Sequence, residues 1–156
     1  MRRRDREVVD PQEILAMLAR CDTVRLGIAD GETPYVVPLS FGVEAVAGRV
    51  RLYVHSARQG RKVELLKRHP RVFVEADRFF CVQEAGRGIT TRYESVMGAG
   101  LCEELTAPEE IEHGLRLLLA HYVQESYPLA NCQGTKHIQV YRVTLEELTG
   151  KRNPVA

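Results

Sequence analysis

The stretch LYVHSARQGRKVELLKRHP, Leu52 to Pro70, carries a strand, a turn and a helix in one continuous run. Val50, Leu52 and Val54 alternate with Arg49, Arg51, Tyr53 and His55, the period-two pattern of a strand with one face buried. Ser56 to Gly60 is small and polar and breaks the strand. Val63, Leu65 and Leu66 then begin an apolar stripe at helical spacing, which Pro70 stops. Gly60, Arg61 and Lys62 therefore sit at a helix N-terminus, where backbone N–H groups lack intrahelical partners and the macrodipole is positive. A phosphate there would meet those donors and two cationic side chains. The plain alternative is a solvated basic first turn. Cations prefer the other end of a helix, so Arg61 and Lys62 are mildly unfavourable at this end unless an anion is present.

The global quantities frame that reading. A chain of 156 residues suits one domain, 1–156, with a sizeable core. With 22 Lys plus Arg against 21 Asp plus Glu the net charge is +1, so no long-range field for nucleic acid or a membrane surface is implied. The opening MRRRDREVVD is charged, and no apolar segment long enough for a signal sequence or membrane span follows it, so a soluble, cytoplasmic protein is expected. Its arginines are read as an exposed lead-in rather than a nucleic-acid arm, neutralised in part by Asp5, Glu7 and Asp10. Cys21, Cys81, Cys102 and Cys132 are widely spaced, with no CxxC pair and no histidine at metal-ligand spacing, and are read as reduced thiols.

In chain order, Asp10-Pro11-Gln12-Glu13 is a helix start: an N-cap acid, proline at the first helical position and a carboxylate three residues after the cap. Ile14, Leu15 and Leu18 give that helix a buried face. Thr23 to Ala29 alternates as a strand with Val24, Leu26 and Ile28 on one side, and Asp30-Gly31 turns the chain. Pro34 to Phe41 is the next strand. Pro38 at its centre cannot donate to a ladder, so the strand is an edge or is distorted there, leaving backbone groups that could hydrogen-bond a planar heterocycle; an ordinary bulge is the commoner explanation for an internal proline. Gly42 to Gly48 reads as a loop. Arg71 to Asp77 is a strand, Phe79 to Thr90 an irregular loop, and Thr91 to Leu105 one long strand in which Gly98 and Gly100 mark a bulge, bend or close backbone approach. Ile111, Leu115, Leu118, Leu119 and Tyr122 fall on one face of a helix that Pro108 begins. Ile138 to Val143 is the last strand, with TLEELTGKRNP as a tail.

About six strands at hairpin spacing and three helices argue for a mainly β fold: a closed or nearly closed antiparallel β-barrel with flanking helices. There is no GxGxxG, GxSxG, HExxH or Walker sequence. His69, His113, His121 and His137 are scattered and read as surface or packing residues.

The sequence resembles the FMN-binding split-barrel family typified by pyridoxamine 5′-phosphate oxidase, and more closely its Nim-type branch, the 5-nitroimidazole reductases. The blocks that carry the likeness are MRRRDREVVDPQEILAMLARCDTVRLG, PYVVPLSFG, LYVHSARQGRKVELLKRHPRVFVE and RYESVMGAG, with LTGK as a weaker fifth. Their order and spacing make it specific.

The resemblance implies an FMN-binding split barrel, with FMN held at the interface of a homodimer. The ribityl phosphate would lie at Gly60, Arg61 and Lys62, and His55 and Ser56 beside the ribityl chain or ring. The backbone of Val37, Pro38, Leu39 and Ser40 would border the isoalloxazine. Tyr93, Ser95 and Val96 resemble a further contact segment, reaching across from the second subunit; ordinary barrel packing is the alternative for Ser95 and Val96. A flavin performs the electron or hydride transfer itself, so no dedicated acid–base pair is required of the protein. His55 is the candidate catalytic residue, as a substrate contact or proton donor; the competing role is a hydrogen bond to FMN alone. The implied function is a nitroreductase-like oxidoreductase acting on a small planar electrophile, the alternative a flavin- or haem-binding protein that stores or senses. Two departures stand out. Branch members often carry a cysteine shortly before the segment matching RYESV, whereas Cys81 is displaced here; and LTGKRNPVA has no counterpart of the substrate-binding C-terminal segment of pyridoxamine-phosphate oxidases.

Overall fold

The computed structural model describes residues 3–122 and 126–154. Arg2 of the expected lead-in and Val155 and Ala156 of the C-terminal segment lie outside them. The described residues form eight antiparallel strands and three α-helices: β1 (Glu7–Val8), α1 (Pro11–Ala19), β2 (Val24–Ile28), β3 (Tyr35–Leu39), β4 (Gly42–Val46), β5 (Arg49–Ala57), α2 (Arg61–Arg68), β6 (Arg71–Ala85), β7 (Gly88–Glu104), α3 (Pro108–His121) and β8 (Ile138–Asn153). The hydrogen-bonded order is β3-β2-β6-β7-β8-β5-β4, with β1 added to β8. The two ends of this path, β3 and β4, are consecutive in the chain and joined through Ser40 and Phe41, yet no ladder links them. The expected barrel is therefore split along this seam rather than closed.

The helix starts follow the local chemistry. Asp10 caps α1 by accepting from the Gln12 N–H at 2.9 Å, with Pro11 at the first turn. Ile14, Met17 and Leu18 of α1 are buried, while Leu15 only packs against the core from its margin. α2 begins at Gly60, whose φ of +126° is open to glycine and strained for other residues, and no side chain caps it. Its Leu65 and Leu66 join the inward residues of β2, β5, β6 and β8 in one core.

Four expectations are corrected. The loop Gly42 to Gly48 is mostly strand β4, turned onto β5 at Ala47 and Gly48, whose φ values of +50° and +76° form a tight primed-type hairpin without the usual Asn-Gly signal. The irregular loop Phe79 to Thr90 is the end of a long β6–β7 hairpin, its register shifted by a bulge between Phe79 and Cys81; the bulge breaks the alternation and hides the strand from a periodicity reading. The tail after Val143 belongs to β8, which pairs with β7 as far as Asn153. Finally, β5 is buried on both faces where α3 covers it: Tyr53 packs with Leu105, Leu115 and Val140 in a second cluster on the outward side. Gly98 and Gly100 do mark an irregularity, since the β7–β8 register shifts between Ala99 and Gly100 and the β8 backbone approaches both glycines closely.

α3 is fixed to the seam at its C-terminal end. The Tyr122 hydroxyl donates to the Asp22 carbonyl at 2.8 Å and accepts from the Phe41 N–H at 3.2 Å, and His121 donates to the Cys21 carbonyl at 2.8 Å. Among the described residues no helix is long and apolar enough to cross a membrane.

A Cβ at Gly42 would stand 2.5 Å from the Leu118 nitrogen, in the backbone of α3. Gly42→Ala is expected to destabilise the fold by about 2–3 kcal/mol, whereas Gly88→Ala, with open space at its Cβ, serves as the near-neutral reference. Thermal unfolding of both variants beside the parent checks this.

Candidate functional site

The corner formed by the end of β5, the turn Arg58 to Gly60 and the first turn of α2 gathers His55, Ser56, Gly60, Arg61 and Lys62. Strand alternation sends Leu52 and Val54 into the core and leaves His55 on the other face, while helical spacing buries Val63, Leu65 and Leu66 and leaves Arg61 and Lys62 at the helix start. His55 is half-buried, and its Nδ1 is a buried atom with no hydrogen-bond partner. Burial, together with the neighbouring Lys62 charge, lowers the His55 pKa. Burial likewise lowers the Lys62 pKa. Among the described residues no carboxylate forms an ion pair with Lys62. A partly desolvated ammonium without an acid, beside an imidazole without a partner, is an arrangement that proteins otherwise avoid.

Arg61 is placed differently. Its Nε donates to Asp30 Oδ2 at 3.0 Å, its Nη2 donates to the same oxygen, and the guanidinium lies over the Tyr35 ring, 5.1 Å from the centroid. Sequence reasoning read Asp30 only as a turn residue. The contact joins residues far apart in sequence, which no local pattern could announce. Ser56 donates to the Ala57 carbonyl at 2.8 Å.

Val37, Pro38 and Leu39 lie on β3 and Ser40 directly follows it; the strand starts at Tyr35 and so leads away from the Arg61 guanidinium. β3 is an edge strand, and its register with β2 runs unbroken through Pro38, opposite Arg25, so the proline marks an edge rather than a distortion. Val37 and Leu39 pack against the core, while Val36, Pro38 and Ser40 are exposed. Because Pro38 is tolerated where its missing N–H faces away from the ladder, its carbonyl and those of its alternate neighbours project from the free edge.

Tyr93, Ser95 and Val96 are elsewhere. Tyr93 and Ser95 face outward on β7, but Val96 points inward and is 1% exposed in the core. Lys151 Nζ sits 5.5 Å from the Tyr93 ring centroid, and Lys151 with Arg6 outweighs partial burial to lower the Tyr93 pKa. Glu94, between Tyr93 and Ser95, is turned inward, where it accepts from Arg20 at 2.9 and 3.1 Å and from Arg152 at 3.3 Å. This buried pairing pins the segment that presents Tyr93 and Ser95. In β8, Val140 pairs with His55 and Lys151 with Ser95, so the two groups are separated by roughly 35 Å of strand at a rise of about 3.3 Å per residue.

The remaining titratable groups have other duties. His113 pairs with Glu44 at 2.9 Å, and the buried Tyr53 hydroxyl donates to the same carboxylate at 2.6 Å, joining α3 to the sheet. The Nε atoms of Arg51 and Arg142 are buried without partners, and the two side chains help line a separate cleft of about 350 Å³ with Glu44 and His113. Burial pushes the Cys21 thiol up to about 11 and the Cys102 thiol up to about 12, so both are inert packing groups. Cys81 is opposite Arg92 in the β6–β7 hairpin, which brings it beside the start of RYESV despite its displacement in sequence.

The profile of the family described as pyridoxamine 5′-phosphate oxidase matches residues 10–152, and the chain belongs to that family. Among solved structures it is similar to a candidate 5-nitroimidazole antibiotic resistance protein from Bacteroides thetaiotaomicron, with 29% identity over 93% of this chain and 85% of the other and a TM-score of 0.82. It is also similar to an FAD-binding protein from Mesorhizobium loti, with 27% identity over 93% and 96% of the two chains and a TM-score of 0.65. A flavocytochrome from Azotobacter vinelandii shares the fold, at 18% identity over 99% and 72% of the two chains with a TM-score of 0.79. A sequence search of curated proteins found no match.

The lowered His55 pKa has a direct test. Its imidazole is expected to titrate below the ordinary 6.5 when followed by NMR, and Lys62→Met is expected to move it upward by removing the neighbouring charge. As pH falls through the ordinary histidine range the unfolded chain takes the proton first, so this residue withdraws stability on acidification.

Proposed function

We propose that this chain binds FMN and works as an FMN-dependent oxidoreductase on a small planar electrophile such as a nitroaromatic. The observation that carries the reading is the corner at His55 and Lys62, where a desolvated cation, an uncapped helix start and a buried ring nitrogen without a partner converge. A phosphorylated flavin would supply what all three lack, its phosphate serving the first two and its ribityl chain the third. The amides at the start of α2 and the Lys62 ammonium would hold it, and His55 Nδ1 would hydrogen-bond the ribityl chain. From there β3 leads away with a free backbone edge, on which Val37 to Ser40 would border the ring.

Bound there, the flavin would supply electron or hydride transfer, and the chain's own residues would orient it and control access. His55 is the residue nearest to a catalytic role. Its lowered pKa makes the neutral imidazole dominant at neutral pH, which supports a hydrogen-bonding role more than that of a standing proton donor. The similarity to the candidate nitroimidazole resistance protein supports a nitroaromatic as substrate.

A homodimer completes this reading. Phe73, Phe79, Val82, Ile89 and Met97 on β6 and β7, with Val36 on β3, are all exposed large apolar side chains on the outward face of the sheet. A patch of this kind suits a partner, and Tyr93 and Ser95 share the face. A second copy seated there would bring its Tyr93 and Ser95 toward the flavin corner that they do not approach within their own chain. The four unpaired cysteines suit a reducing, cytoplasmic setting.

The purified protein is expected to show flavin absorption that NADH or NADPH bleaches and a nitroaromatic restores. Flavin bands that no donor reduces would favour a binding protein instead, and a Soret band a haem carrier. Replacing Arg61 and Lys62 together by alanine is expected to leave the fold intact and the protein largely free of FMN, since each charged contact to phosphate is worth about 1.5–3 kcal/mol. Unchanged FMN content refutes the phosphate site.

A further inference from the structure

We infer that Asp30, with the Tyr35 ring, is a positioning residue that holds the Arg61 guanidinium at the mouth of the phosphate site and thereby sets selectivity for phosphorylated over unphosphorylated flavin; this rests on the FMN reading above. Arg61 opens α2, and its side chain is 67% exposed, so nothing in the helix itself restrains it. The restraint comes from the turn between β2 and β3. Asp30 Oδ2 accepts from Nε at 3.0 Å and also from Nη2, which fixes one edge of the guanidinium plane. The Tyr35 ring supports one face.

With an edge and a face held, the Nη1 hydrogens remain free for an anion. A guanidinium fixed beforehand loses less freedom on binding than a free one. The carboxylate that repels a phosphate is engaged on the far edge, so orientation outweighs repulsion. The same contacts tie the start of β3 to the start of α2.

The test compares two ligands that differ only in the phosphate. Flavin-free full-length protein is titrated with FMN and with riboflavin by quenching of flavin fluorescence, for the parent, Asp30→Asn and Asp30→Ala. FMN affinity is expected to fall in that order, by about tenfold for alanine, while riboflavin affinity stays the same in all three and reports that the site is folded. In Arg61→Ala the further change Asp30→Ala is expected to add nothing. FMN affinity that is unchanged or tightened in Asp30→Ala overturns the positioning role, as does an equal loss for both ligands. A parent protein that binds FMN no better than riboflavin overturns the phosphate assignment itself and the inference with it. A parent preference for FMN that survives Asp30→Ala overturns only the inference.

Discussion

The corner between β5 and α2 holds an ammonium and an imidazole partly out of water, and among the described residues no acid pairs with either. Desolvation lowers the pKa of both groups, and the Lys62 charge adds to the effect on His55. Such a corner persists only because its supports are anchored elsewhere. Leu52 and Val54 bury one face of β5, Val63, Leu65 and Leu66 bury one face of α2, and Gly60 makes the turn that no side chain caps. Neutral His55 and desolvated Lys62 are held in place before any ligand arrives, and an anion would relieve the strain that packing imposes.

That corner was legible in the sequence because everything that forms it is local. A strand period, a glycine turn, a helical stripe and a terminating proline all fall between Val50 and Pro70. The seam was partly legible too, because Pro38 announced an edge strand. What escaped was non-local or masked by irregularity. The hairpin at Ala47 and Gly48 uses a non-glycine residue at positive φ, so its turn signal was weak. The bulge at Phe79 to Cys81 broke the alternation in the β6–β7 hairpin. The pairing of Arg61 with Asp30 and of Glu94 with Arg20 and Arg152 depends on how the sheet brings distant residues together. Val96 was grouped with Tyr93 and Ser95 by motif, although the period of two sends it inward beside Glu94.

The long strand β8 relates the two halves of the candidate site. It pairs with β5 at one end, opposite His55, and with β7 at the other, opposite Ser95. One copy therefore carries the corner at His55 and Lys62 and, beside the far end of β8, an outward tyrosine on β7 near Lys151 and Arg6. Membership of the pyridoxamine 5′-phosphate oxidase family gives the fold its context. The exposed apolar face of β6 and β7 offers the surface on which two copies would bring the halves together.

The most direct measurement is an FMN titration of the isotope-labelled protein followed by backbone amide NMR. The amides of Gly60, Arg61 and Lys62 and the ring of His55 are expected to shift and saturate together, with Tyr93 and Ser95 following the same binding curve. Shifts that leave Gly60 to Lys62 unmoved and gather instead around Glu94 and Arg152 would contradict the assignment.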